Sequence, residues 1–229
     1  MTQAFLSRTL FAASAAFMVT APSASAQLLD DFNRADASTL GAQWTQQSGT
    51  SSIVSNRATG ISLALATFVG GSGNVVSFDL FIGGGGSQQY GAGVLGFGTG
   101  DNYFVKVQSS NSGTAFGHYG FYRANNNSAG GVFGILSNSF TSARVTVTRT
   151  GTLATLDIVP NVGDAQSYSF DYGYAPTGTG IGLGFFGTST IDNFGGTANV
   201  VPEPSTYALL AAGLTAIGLA RRRRTTTMA

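Results

Sequence analysis

From Gln27 to Asn199 apolar and polar positions alternate with a period of two, and no stretch there keeps the 3.6-residue apolar repeat of an amphipathic helix. That periodicity predicts strands over 28–32, 61–68, 74–82, 90–97, 102–109, 114–123, 132–136, 143–149, 153–159 and 181–186. Turn signals separate them: "SNR" around Asn56, "GGGGS" at 83–87, "TGDN" at 99–102, "NNNSAGG" at 125–131 and "RTGT" at 149–152. Many short strands between closely spaced turns predict an all-β, two-sheet antiparallel sandwich. Glycines inside "YGAGVLGFG" and "GIGLGFFG" each cost a strand about 0.5–1 kcal/mol relative to alanine. The alternating Phe and Leu side chains are expected to compensate by packing across the sheet.

Both ends break the pattern. Residues 1–26 place Arg8 before an apolar run from Leu10 to Ala21, then Pro22 and the small residues Ala24, Ser25 and Ala26. This is the layout of a secretory signal peptide, cleaved between Ala26 and Gln27, and the run is too short to span a ~30 Å bilayer core. Residues 200–229 hold "VPEPS" (Val201, Pro202, Glu203, Pro204, Ser205), fourteen largely apolar residues from Tyr207 to Ala220, and Arg221, Arg222, Arg223 and Arg224. Fourteen residues make about 21 Å of helix, short for a stable anchor, while the prolines stop the helix extending backward. Four arginines, each costing roughly 2.5–3.5 kcal/mol to bury, hold that end in the cytoplasm.

Composition narrows the chemistry. The formal net charge of +1 comes from the ends: the body from Gln27 to Asn199 holds six bases and nine acids, 6 − 9 = −3. A mildly acidic body without a basic stripe argues against nucleic acid. The absence of cysteine excludes disulfides, thiolate nucleophiles and Cys-bound metals. The body has one histidine, His118, and no glutamate; all nine acids are Asp.

The order of "LLDDFNRADASTLGAQWTQQSG", "YGAGVLGFGTGDNYFVKVQ", "HYGFYRANNN", "ARVTVTRTGTLATLDI" and "GTGIGLGFFGTSTIDNFGG" resembles the concanavalin A-like, laminin-G-like jelly rolls of exported bacterial proteins, over nearly the whole body. The resemblance implies that the first strand, with Asp31 and Phe32, and the last, with Asp192 to Phe194, are neighbours. The tail resembles the PEP-CTERM sorting signal, also catalogued as an ice-binding protein C-terminal domain, a label that implies no ice activity. The tail resemblance implies recognition by an exosortase, cleavage in or near Pro-Glu-Pro, and delivery to the cell surface or extracellular matrix after transient anchoring in the inner membrane. The domain plan is therefore 1–26 signal peptide, 27–199 jelly roll and 200–229 sorting signal with a transmembrane helix. Signal peptidase and exosortase are the partners expected during export.

Catalytic patterns are missing. The glucanase branch of the fold uses closely spaced glutamates, and retaining hydrolysis needs two carboxyls roughly 5–5.5 Å apart; no predicted strand carries two Asp at such spacing. No GxSxG elbow accompanies His118. "GAGVLG" and "GLGFFG" match a dinucleotide fingerprint by letter, yet no helix follows either. A single strand with Thr146, Thr148 and Thr150 is ordinary β composition.

Two candidate sites remain. Asp30, Asp31 and Asp192, with Asn193 able to join them, are the candidate ligands of one structural calcium, although solvated carboxylates are the plainer reading without a DxDxDG loop. No other cofactor is expected. Phe104, Lys106 and Gln108 share one side of their strand by alternation, and Phe116, His118 and Tyr122 one side of the next. Aromatic faces with polar neighbours suit glycans, so these six are the candidate glycan-binding residues; the plain alternative puts the phenylalanines in the core. The chain is expected to be a non-enzymatic glycan-binding or structural protein of exopolysaccharide or biofilm. The alternatives are a polysaccharide hydrolase or lyase using Asp, and a coat protein without a specific ligand.

Overall fold

The computed structural model describes residues 26–98, 102–123 and 131–196. The expected signal helix, the sorting motif and the apolar tail helix lie outside the described residues, among which no helix is long and apolar enough to cross a membrane. Among the described residues thirteen strands run in chain order: β1 (Gln27–Asp30), β2 (Trp44–Val54), β3 (Arg57–Ser72), β4 (Val75–Phe81), β5 (Tyr90–Phe97), β6 (Tyr103–Ser109), β7 (Phe116–Arg123), β8 (Val132–Phe140), β9 (Ser142–Thr150), β10 (Leu153–Pro160), β11 (Gln166–Asp171), β12 (Gly180–Phe186) and β13 (Thr190–Gly196). No described residue is helical and neighbouring strands pair antiparallel, as the jelly-roll expectation requires.

One hydrogen-bonded path, β11-β10-β9-β4-β13-β3-β12-β5-β6-β7-β8, doubles back on itself to make two layers. The long strand β3 is the corner: Ala58 and Thr59 pair with β13, while Ala64 to Thr67 pair with β12. The first sheet is therefore β11-β10-β9-β4-β13 with β1 added beside β13, and the second is β3-β12-β5-β6-β7-β8 with β2 added beside β3. Between them lie Val76, Phe78, Val145, Val147, Leu156 and Ile158 from the first sheet and Leu95, Val105, Val107, Phe121, Leu183 and Phe185 from the second, all fully buried. Burying such side chains contributes about 1.5–3 kcal/mol each, enough to hold the fold without a disulfide.

The glycines of β5 set how closely the layers approach. A Cβ on Gly93 would stand 2.7 Å from Val76 Cγ2 and 3.0 Å from Val147 Cγ2. The inner face of β5 is bare at Gly91 and Gly93 because side chains of the opposite sheet fill that space.

Three strands were not predicted. β2 is mostly polar and exposed, so no buried face marks it. β11 and the turn after it read "YSFDYGY", and Tyr168, Phe170, Tyr172 and Tyr174 alternate in a clear period of two that would have identified a strand. Tyr168 stacks on Tyr119 and Tyr172 on Tyr103, each pair with centroids 4.0 Å apart, which closes one side of the sandwich. β13 completes the expected meeting of the first and last strands of the body: Asp30 of β1 is the register partner of Phe194. Trp44 packs there against Phe32, Phe68 and Phe194 at 5.7, 5.3 and 4.9 Å.

Candidate functional site

The outer face of the second sheet carries a second apolar cluster, separate from the core: Leu65, Tyr90, Ala92, Val94 and Phe104, with Phe97, Tyr122 and Phe186 against them. Cross-strand register explains the grouping. Val94, Phe104 and Tyr122 are successive partners across β5, β6 and β7, as are Ala92, Lys106 and Gly120, and then Tyr90, Gln108 and His118. Small residues in the middle row leave room for the rings, since the Phe104 ring lies over Gly184 and the Tyr122 ring over Gly120. Tyr90 stacks on Phe186 at 5.5 Å and meets Phe104 edge-on at 5.9 Å.

Lys106 lies inside this aromatic group and is only 4% exposed. Its Nζ is 5.0 Å from the Tyr90 ring centroid and 4.6 Å from that of Tyr122, so two π faces partly replace its lost hydration. Burial still disfavours the charged form and brings its pKa down to about 8. The Tyr90 and Tyr122 hydroxyls are pushed up by burial in the same cluster.

Toward β8 the face opens. The His118 ring stacks on Phe133 at 5.1 Å with a 15° interplanar angle, and its Nδ1 is buried without a hydrogen-bond partner. Ile135, the register partner of His118, is 76% exposed and Phe133 is 51% exposed. Five of the six candidate glycan-binding residues, Phe104, Lys106, Gln108, His118 and Tyr122, thus share one face. Phe116 does not. The β6–β7 register shifts between Gln108 and Ser109, so Ser109 pairs with Phe116 and Gly117 is extra; Phe116 turns inward, fully buried against Phe140 at 5.7 Å. A bulge of one residue reverses the facing of everything before it. Phe104 is likewise buried, at the floor of the cluster rather than its surface. Phe133 and Ile135 join this face from outside the six candidates, although their i, i+2 spacing in "VFGIL" puts both on one side of a predicted strand.

The carboxylates considered for calcium are divided between other tasks. Asp30 receives Arg34 Nη1 at 2.7 Å, Arg34 Nη2 at 2.9 Å, the Trp44 indole N–H at 2.7 Å and the Phe32 amide at 2.9 Å. Burial works to raise its carboxyl, but these donors outweigh burial and hold it below the ordinary carboxylate value. Asp31 caps the Asn33 amide. Among the described residues no group of three or more Asp, Glu, His or Cys is placed to hold a metal ion.

Tertiary structure instead pairs Asp192 of β13 with Asp79 of β4 directly across the strands. Asp79 accepts from Arg144 Nη1 at 3.2 Å and Asn193 Nδ2 at 2.7 Å. Burial, with the nearby Asp79 and Asp31 charges, lifts the Asp192 carboxyl above its ordinary value.

Residues 200–224 match the family model described as the PEP-CTERM protein-sorting motif. The motif marks the chain for export, with transient membrane anchoring through the tail and processing by an exosortase. No curated protein matches the chain in sequence. Similar solved structures include a carbohydrate-binding module CBM66 from Bacillus subtilis, 13% identical with TM-score 0.47, covering 69% of this chain and 94% of that one. A peanut lectin with a nine-residue peptide is 13% identical with TM-score 0.48, covering 70% and 94%. The CBM2 module of an evolved Dit protein from Lactobacillus casei BL23 phage J-1 is 11% identical with TM-score 0.44, covering 74% and 86%.

Proposed function

We propose that this chain, sent out of the cell by its PEP-CTERM motif at residues 200–224, is a non-enzymatic module that holds polysaccharide on the open half of its second sheet. The observation that carries the reading is the flat His118–Phe133 stack, continued by exposed Ile135. Sugar rings present apolar C–H faces to aromatic rings, and the exposed Phe133 with the His118 ring stacked on it offers such a platform. Lys106 sets the floor and adds positive potential to that face of an acidic body. Retention of the exported protein on exopolysaccharide, at the cell surface or in a biofilm matrix, follows from this reading.

The test is retention of the detergent-solubilised full-length chain on immobilised exopolysaccharide from the producing cells, with polymer length measured before and after. Retention with unchanged polymer length is expected. Phe133→Ala should weaken it about tenfold, the worth of one aromatic contact at about 1.4 kcal/mol. Retention insensitive to Phe133 would reject this face. The paired Asp79 and Asp192, one engaged by Arg144 and one with a raised pKa, favour a second reading as a polysaccharide hydrolase. Shortened polymer that Asp192→Asn leaves intact would establish it.

A further inference from the structure

At the opposite edge of the second sheet, β2 leaves β3 and opens a cleft of about 500 Å³ beneath the 38–42 segment. The volume falls within the range of small-molecule sites. Its walls are uncharged: the exposed Ser38, Thr39 and Thr50, Ala42 and the backbone at Gly41 and Gly49, with Trp44 behind them and Ser51 buried, its hydroxyl donating to Gln46 Oε1.

The backbone here is bent away from regular pairing at several points together. The β2–β3 register shifts twice, between Gln46 and Ser48 and between Ser48 and Thr50. Gly49 has φ +62, and a Cβ there would come within 2.7 Å of the Ser62 carbonyl oxygen and of Ala64 Cα. On the partner strand, Ser62 and Leu63 are left-handed at φ 55 and 50, a conformation that L side chains seldom adopt. Leu63 is 43% exposed, so its own burial does not offset the strain. Gln46 pins the distortion: its Oε1 accepts from the Ser51 amide at 3.2 Å and its Nε2 donates to the Leu65 carbonyl at 3.0 Å. Observed strain concentrated behind a preformed cavity points to a function for the cavity.

We infer that this cleft is a second binding site, for a neutral polyhydroxylated ligand such as an uncharged sugar unit. An uncharged lining offers an anion or cation nothing to offset its desolvation, whereas hydroxyls and backbone groups around an indole edge suit a molecule with alternating C–H and O–H surfaces. The cleft lies across the sheet from His118 and Phe133, so one molecule can engage two glycan segments at once.

Trp44 is the sole tryptophan of the chain, and its emission therefore reports this cleft. The full-length chain is titrated with cellotetraose, maltotetraose and xylotetraose, with tetragalacturonate as the charged counterpart, following Trp emission and heat. A saturable emission change with at least one neutral probe is expected, absent with tetragalacturonate and weakened at least tenfold by Thr50→Leu or Ala42→Leu on the exposed walls. Phe133→Ala should leave it unchanged, which separates this site from the outer-face site. No heat and no emission change with all three neutral probes overturns the inference. So does a response that survives both wall substitutions, or one that disappears with Phe133→Ala.

Discussion

Lys106 shows how one side chain acquires a property its sequence position does not carry. In "NYFVKVQSS" it is an ordinary strand lysine on an alternating face. Neighbouring strands place Tyr90 and Tyr122 beside it, and burial brings its pKa to about 8. For a base whose folded pKa lies below the unfolded value of about 10.5, the unfolded chain holds the extra proton between those two values, so stability rises with pH there. Wild type should therefore gain on Lys106→Met by about 2 kcal/mol between pH 8 and 10, measured as the difference of their urea-unfolding free energies. The buried tyrosines act in the opposite direction near pH 10 and cancel in that difference. A constant difference across the range would show that Lys106 is not desolvated. Asp30 has the same sign in a more acidic window: its depressed pKa supports the fold at neutral pH, and that support is lost as pH falls from the ordinary carboxylate value through the lower folded one.

Among the elements, β5 is the clearest case of a strand read correctly for an incomplete reason. Its predicted bounds, 90–97, are the observed ones. The expected compensation of its glycines by aromatic packing holds for the outer face through Phe104 and Phe186. On the inner face the glycines are themselves required, because Val76 and Val147 occupy the space of a Gly93 side chain. Gly93→Ala should lower stability by about 1–3 kcal/mol through overpacking, whereas Gly117→Ala, with open space around its Cβ, should stay within about 0.5 kcal/mol; thermal melts of the two full-length variants make the comparison. Equal melting temperatures would mean that the sheets can separate at no cost. β7 teaches the converse lesson. Alternation places Phe116 with His118 and Tyr122, but the extra residue Gly117 enters only through pairing with β6, and pairing is a property of two strands.

For the whole molecule, the sorting motif at residues 200–224 lies apart from the β body that carries the proposed glycan face. The acidic β body stands between residues 1–26 and 200–229, which together hold the five remaining arginines, Arg8 and Arg221 to Arg224. Mass spectrometry of the surface-exposed protein should find a chain that begins at Gln27 and lacks Arg221 to Ala229, the consequence of signal-peptidase and exosortase cleavage. An intact basic terminus on that form would contradict processing. The fold suits such a role: with no disulfide to form, a core of aliphatic and aromatic side chains from two sheets is enough to stabilise it after export.

The sequence alone determined the all-β class, ten of the thirteen strands and the sorting motif, because each is written in local signals: a period of two, turn residues, and an apolar run between prolines and arginines. Only the tertiary structure decided which side chains share a face. It turned Phe116 inward, bound Asp30 to Arg34 and Trp44, set Asp79 against Asp192, and gathered His118, Phe133 and Ile135 at an open edge. The physical reason is that facing in a sheet depends on register between strands far apart in the chain. One bulge or one unmarked strand changes that register without altering the local pattern that reveals the strand.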